Sequence, residues 1–216
     1  MSPSDDLPRY GRGARTLHWL IAVLIIAGII LGFIAATIGT KATDPALKAL
    51  REDVLFWHKS IGLTILALGL IRIGWALTHR RPPLPDHLPK YERVLAKGVH
   101  ASLYILLIAM PVTGILLSQA VGFPVSWFGL FTLPDFVHPD LAVPVMKRGS
   151  VLITFILHEK LFAYGLLAIL ALHVLGLIKH QWIDRDPSIW RRMAPWRPAA
   201  PAAPIEPEPD PVPASD

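Results

Sequence analysis

Hydrophobic residues are collected into four long blocks, separated by polar segments. The blocks cover residues 17–38, 61–77, 103–121 and 152–178. A helix needs about 20 mostly apolar residues to cross the hydrocarbon core of a membrane, and the second block reaches this length when it is extended to Trp57 and Thr78. Because backbone polar groups in lipid must be bonded within their own segment, each block predicts a helix. The pattern predicts an all-α, integral membrane four-helix bundle, with helices over 17–38, 57–78, 99–121 and 152–179.

Composition divides the chain into a membrane domain and a tail. Of the 216 residues, 53% are hydrophobic, and cysteine is absent, which excludes disulfide and thiol chemistry. Residues 1–193 form the predicted four-helix domain. Residues 194–216 are rich in proline, alanine and acidic side chains and lack the apolar material for a core, so we expect a disordered tail.

Positive charge is unevenly shared between the two sides of the predicted bundle. Fourteen Lys and Arg residues fall on the side of the N-terminus, the second connection and the C-terminal tail, against seven on the other side. Cytoplasmic loops carry the excess of Lys and Arg, so both termini are predicted to be cytoplasmic. The pI of about 9.7 reflects this bias and does not indicate nucleic-acid binding.

Five of the nine histidines lie in or at the mouth of a predicted helix. Ionisable residues are rare inside membrane segments and are functional by default. With alternating helix directions, His58 and His158 lie near the outer face, whereas His18, His100 and His173 lie near the inner face. The histidines therefore fall at two depths.

The fourth helix contributes to both depths. His158 and His173 are fifteen residues apart, which corresponds to a rise of about 22 Å and a net rotation of about 60°. This arrangement suits two haems stacked across the bilayer, each bound by one histidine of this helix and one of another. A metal-only site, a histidine proton relay and histidines that merely join helices by hydrogen bonds are the alternatives.

Several sequence segments together resemble the bacterial cytochrome b561 family. They are, in order, RTLHWLIAVLII, WHKSIGLTILALGLIRIGWAL, HASLYILLIAMPVTGILL, FGLFTLP, HEKLFAYGLLAILALHVLGLIKHQWIDRD and RRMAP. The resemblance implies a multi-pass protein of the bacterial inner membrane with two b-type haems. It implies that His18 and His173 bind the iron of the inner haem, and that His58 and His158 bind that of the outer haem.

The resemblance also implies an oxidoreductase that transfers electrons, with ubiquinone as the acceptor or ubiquinol as the donor, of the superoxide:quinone oxidoreductase or quinol oxidase type. Some members of the family take electrons from superoxide on the outer side. The rival interpretation is a haem-bearing membrane anchor, whose long outer loop docks a soluble dehydrogenase or hydrogenase as its protein partner. Fourth-helix ligands in this family are typically fourteen residues apart rather than fifteen. A π-bulge would absorb the extra residue, and His100 competes with His173 as the inner ligand.

Basic residues supply further candidates for cofactor binding. Arg72 follows His58 by fourteen residues, so it faces nearly the same way about 21 Å deeper. We expect it to bind a propionate of the inner haem. Arg15, in the basic segment before His18, is another candidate, and Lys59 directly follows His58.

Lys59 also belongs to a predicted electropositive mouth at the outer face. Lys160 lies two residues after His158, and Arg51, Lys147 and Arg148 flank the same face. Such a patch would attract small anions such as superoxide. Ordinary lysines extending from a membrane edge are the alternative.

Two glycines lie fourteen residues after an inner-level histidine of the same helix, which places them at the level of the outer haem. Gly32 follows His18 by fourteen residues, and Gly114 follows His100 by the same number. A helix that faces a wide porphyrin benefits from having no side chain there. Close helix packing explains a single glycine equally well.

Overall fold

The computed structural model of the protein describes residues 9–39, 42–80, 82–83 and 87–195. Within these residues, four helices are long and apolar enough to cross a membrane: α1 Arg12–Ile38, α2 Pro45–Thr78, α3 Lys90–Val121 and α4 Gly149–Ile183. A short helix, α5 Ser188–Met193, follows. The predicted all-α, four-helix membrane fold is confirmed. Apart from its first two residues, the predicted disordered tail lies outside the described residues.

Two of the helices begin well before their predicted starts. α2 begins at Pro45 instead of residue 57, and Asp44 caps it, since its Oδ1 accepts a hydrogen bond of 2.8 Å from the Ala46 amide. α3 begins at Lys90 instead of residue 99. Hydropathy detects only the part of a helix that lies in lipid. The 34 residues of α2 span about 51 Å, well beyond a hydrocarbon core of about 30 Å.

α4 contains two π-helical segments, Ile156–Phe162 and Lys179–Ile183. In the first, the Ala163 amide donates to the His158 carbonyl, five residues back rather than four. A π-turn accommodates one residue more than an α-turn. The extra residue between His158 and His173 is therefore absorbed beside His158, as the sequence predicted for a π-bulge.

Consecutive long helices pack against each other. The two ends of the bundle are named by what they carry, the hairpin end and the terminal end. The hairpin end carries two short antiparallel strands, β1 Ser126–Trp127 and β2 Phe131–Thr132. Trp127 Nε1 donates to Thr64 Oγ1 at 3.0 Å, and the Phe128 amide donates to the buried Ser60 Oγ at 3.0 Å. The hairpin therefore packs against the middle of α2.

The opposite, terminal end carries the first and last described residues. Trp19 Nε1 of α1 donates to the Met193 carbonyl at 2.8 Å, and Arg15 donates to the Ala194 carbonyl at 3.0 Å. The buried Arg192 donates to the Pro82 carbonyl at 2.7 Å. The first two bonds hold the end of α5 against the start of α1, and the third joins α5 to the segment after α2.

Few large apolar side chains are buried. Ile21, Ile65 and Leu107 form a small buried cluster from α1, α2 and α3, between the two histidine levels. Ile26 and Ile105, like many other long apolar residues of the spanning helices, are more than half exposed. Such surfaces are unfavourable in water and suit lipid contact, as membrane-spanning helices require.

Candidate functional site

A single cavity of about 2550 Å³ runs through the bundle. It is lined by all four long helices and by seven histidines, which include the five of the predicted helices: His18, His58, His100, His158 and His173. A pocket for one small ligand occupies about 300–1,000 Å³. The cavity therefore has room for more than one such ligand, and the histidines are at both of its ends.

His58 and His158 face each other at the hairpin end. Their ring centroids are 6.2 Å apart, and the ring planes are inclined by 84°. His58 Nδ1 lies 2.9 Å from the Gly28 carbonyl, and His158 Nδ1 lies 3.0 Å from the Met110 carbonyl. Because a carbonyl can only accept, Nδ1 carries the proton in each ring. Nε2 is then left with a lone pair for a metal ion.

Two glycines allow these rings to approach their backbone partners. A Cβ on Gly32 would lie 3.1 Å from His58 Cε1, and one on Gly114 would lie 2.8 Å from His158 Cε1. The sequence suggested that these glycines make room for a porphyrin. In the structure they make room for the histidine of the neighbouring helix.

His173 lies between two other histidines at the terminal end. Its ring centroid is 6.2 Å from that of His18 and 5.1 Å from that of His100. His100 is exposed, and its Nδ1 lies 2.6 Å from the Ala96 carbonyl of its own helix. The 6.2 Å separation of His18 and His173 equals that of the hairpin-end pair.

Arg72 lies beside the terminal-end histidines. Its guanidinium donates to the Ala14 carbonyl at 2.9 Å, lines the cavity and is close enough to His18 and His173 to interact with them electrostatically. Arg15 is not among the described residues that line the cavity. Its role in cofactor binding stays a prediction.

Three of the predicted mouth cations line the cavity at the hairpin end: Arg51, Lys59 and Lys160. Lys59 Nζ donates to the Pro124 carbonyl at 3.1 Å, which ties this residue to the hairpin loop. Arg148 has a different role. It is buried, and its guanidinium donates to the Ala120 and Val121 carbonyls at the end of α3.

Sequence reasoning missed a polar network at the terminal end. Lys179 Nζ lies 2.8 Å from Glu92 Oε1 and 2.6 Å from Asp184 Oδ2, and His180 Nδ1 lies 2.9 Å from the same Asp184 oxygen. The hydrogen bond from Lys179 holds the pKa of the Asp184 carboxyl below its usual value. His180 is not among the five histidines that the sequence places in or at the mouth of a helix. Its four-residue spacing from Asp184 was the available signal.

A model of the prokaryotic cytochrome b561 family matches residues 9–196. The chain belongs to this family. Its relatives include cytochrome b561 homolog 2 of Escherichia coli K12, which is 30% identical over 198 residues, or 89% of this chain and 95% of the relative. The probable superoxide oxidase CybB of Yersinia pestis is 27% identical over 82% of this chain and 91% of the relative. Cytochrome b562 of Cereibacter sphaeroides is 29% identical over 50% of this chain and 65% of the relative.

Membership in the cytochrome b561 family implies haem b and electron transport in a bacterial membrane. The residues fit haem. An imidazole nitrogen binds a metal at about 2 Å and lies about 1 Å from its ring centre, so two axial imidazoles have centroids about 6 Å apart. Both 6.2 Å pairs meet this requirement. The hydrogen bonds from His58 Nδ1 to the Gly28 carbonyl and from His158 Nδ1 to the Met110 carbonyl fix the orientation of both rings, as metal-binding histidines require.

Proposed function

We propose that the protein is a dihaem cytochrome b of the bacterial inner membrane that carries electrons from an outer donor to ubiquinone. Two histidine pairs with the same 6.2 Å separation, one toward each end of a continuous cavity, carry this proposal. His58 and His158 would bind one haem iron, and His18 and His173 the other. Haem supplies one-electron oxidation and reduction when it is bound.

His18 suits the iron of the terminal-end haem better than His100 does. The 5.1 Å between the His100 and His173 centroids is about 1 Å too short for an ion between them. His100 is also exposed and bonded to its own helix. Because two histidines would hold each haem, the chemistry that it would supply is electron transfer without bonding of a substrate to iron.

The distribution of Lys and Arg supports a cytoplasmic terminal end and an external hairpin end. Arg51, Lys59 and Lys160 then surround the outer mouth of the cavity, where Glu52 and Glu159 reduce the net positive charge. A mouth of this kind raises the local concentration of small anions. Superoxide is the donor we propose, because a relative is named a probable superoxide oxidase.

The overall reaction is balanced with ubiquinone as acceptor. Two superoxide anions each give up one electron and become two molecules of oxygen. Ubiquinone takes the two electrons together with two protons and becomes ubiquinol. The chain holds the haems in place, admits the anion at one end and must supply protons where quinone is reduced.

Arg72 is proposed to bind a propionate of the terminal-end haem. Its guanidinium already lies beside His18 and His173 and lines the cavity. A guanidinium can bind a carboxylate through two parallel hydrogen bonds.

A haem-bearing anchor subunit is the second candidate. The loop at the hairpin end exposes large apolar side chains, including Leu130, Leu141 and Met146, which a soluble partner could cover. The two functions differ in a simple respect. An anchor would exchange electrons with quinone only when its partner is present.

Purified protein tests the proposal directly. A pyridine haemochrome assay should give two haems b per chain, and a reduced-minus-oxidised spectrum should show low-spin haem. Superoxide should then reduce the haems, and ubiquinone should re-oxidise them without any added protein. One haem per chain, or haems that respond to neither reagent, would contradict the proposal.

A further inference from the structure

A line of three titratable side chains leads from the surface of the terminal end into the cavity. Asp184, His180 and Glu92 have 33%, 14% and 11% of their side-chain surface exposed, so the line becomes more buried along its length. His180 Nδ1 lies 2.9 Å from Asp184 Oδ2, and its Nε2 lies 3.8 Å from Glu92 Oε2. The two ring nitrogens of His180 therefore face two different carboxylates.

Glu92 Oε2 is the inner end of this line. The atom is buried without a hydrogen-bond partner in the part of the chain that the structure describes. Glu92 and His180 line the same cavity as His173. A buried, unpaired carboxylate oxygen is costly, and this one is positioned to accept a proton from His180 or to donate one into the cavity.

The other charged and titratable groups around the line hold it in place. Lys179 Nζ contacts both carboxylates, at 2.8 Å and 2.6 Å, and the Tyr91 hydroxyl donates to Glu92 Oε1 at 3.1 Å. The ammonium already occupies the position between Glu92 and Asp184 that a bound metal ion would need. The arrangement therefore favours a relay of protons over a cation site.

We propose that Asp184, His180 and Glu92 form a proton relay that supplies the reduction of quinone at the terminal end of the cavity. This inference rests on the proposed function and adds the side and the residues from which the protons come. Asp184 takes a proton from water and passes it to His180 Nδ1, while His180 Nε2 releases its proton to Glu92 Oε2. Glu92 then donates to a quinone oxygen as electrons arrive. Two passes, with two electrons, convert one quinone to quinol.

The 3.8 Å between His180 Nε2 and Glu92 Oε2 is the one step longer than a hydrogen bond. Proton transfer requires about 2.6–3.2 Å between the heavy atoms, and such contacts often tighten only when substrate is bound. We expect this contact to shorten to hydrogen-bond distance when quinone binds.

The test separates haem reduction from haem re-oxidation in the haem-loaded protein. Reduced wild type, Glu92→Gln and His180→Ala are mixed with excess ubiquinone in a stopped-flow spectrophotometer. Both variants should keep two haems and be reduced by superoxide at the wild-type rate. Their re-oxidation by ubiquinone should be at least about tenfold slower, since a positioned acid or base contributes about 10²–10⁴-fold.

Chemical rescue and a matched variant distinguish a relay from a structural effect. Added imidazole should restore re-oxidation in His180→Ala but not in Glu92→Gln. His87→Asn removes another histidine–carboxylate contact of the same end, 2.9 Å from Asp186, and should behave as wild type. Normal re-oxidation in both relay variants, or equal slowing in His87→Asn without imidazole rescue, would overturn the relay alone. Wild-type haems that ubiquinone does not re-oxidise would overturn the proposed function and the relay together.

Discussion

Replacing Gly114 by alanine should disturb the hairpin-end haem and leave the other haem unchanged. The new Cβ would lie 2.8 Å from His158 Cε1 and 3.2 Å from its Nδ1. Unstrained carbon contacts are about 3.5–4.0 Å, so the ring must retreat by about 1 Å. That movement would break the 3.0 Å bond between His158 Nδ1 and the Met110 carbonyl.

The free-energy cost follows from these two effects. Overpacking costs about 1–3 kcal/mol, and a lost hydrogen bond costs about 1 kcal/mol. Together the two effects cost at least about 2 kcal/mol, which lowers the affinity for this haem by at least about thirtyfold. Haem content and the electron paramagnetic resonance signals of the oxidised protein should show one low-spin signal shifted or depleted and the other intact.

Two glycines provide matched controls. Gly98→Ala, in the same helix, adds a Cβ with no atom within 4 Å and should change neither signal. Gly69→Ala places a Cβ 2.8 Å from Leu107 Cγ and should lower stability while leaving both signals in place. Two full, unchanged haem signals in Gly114→Ala would refute the reasoning, as would the same loss in Gly69→Ala.

Three further predictions concern the ligands and the charges. His173→Ala should lose the terminal-end haem, whereas His100→Ala should keep both haems. A haemochrome assay counts the haems of each variant. The reverse result would show that His100, and not His173, binds the iron. Arg72→Leu should lower the midpoint potential of one haem only, because a nearby cation stabilises the reduced centre, and two unchanged potentials in a redox titration would leave Arg72 as an interfacial residue. Joint replacement of Lys59 and Lys160 by Gln should slow haem reduction by superoxide, and flatten its salt dependence, without slowing reduction by ubiquinol. Equal loss of both rates would argue against attraction of the anion.

The four helices and the depths of the histidines could be predicted because the membrane constrains both. Lipid requires apolar segments of a fixed length, and a residue's position in such a segment sets its depth. His58 and His158 are far apart in sequence, yet each lies near the same end of its helix. The structure brings their rings within 6.2 Å of each other.

The helix ends and the polar groups outside the lipid could not be predicted in the same way. Pro45 begins α2 through a local cap that a hydropathy profile does not detect. Arg148 was counted as outer surface charge, but it binds the last carbonyls of α3. Any cation of the long loop could satisfy those carbonyls, so nothing in the sequence singles it out. The contact of Glu92 with Lys179 depends on how two helix ends meet.

The bond between Trp19 and the Met193 carbonyl joins residues 174 positions apart. During synthesis α1 is made first, and its Trp19 can form this bond only after residue 193 has been added. The hairpin-end histidines are all present once α4 has been inserted, whereas the terminal end still lacks α5. On this order of synthesis, the hairpin end can be completed before the terminal end. The short segment that follows α4 is the last part that the terminal end needs.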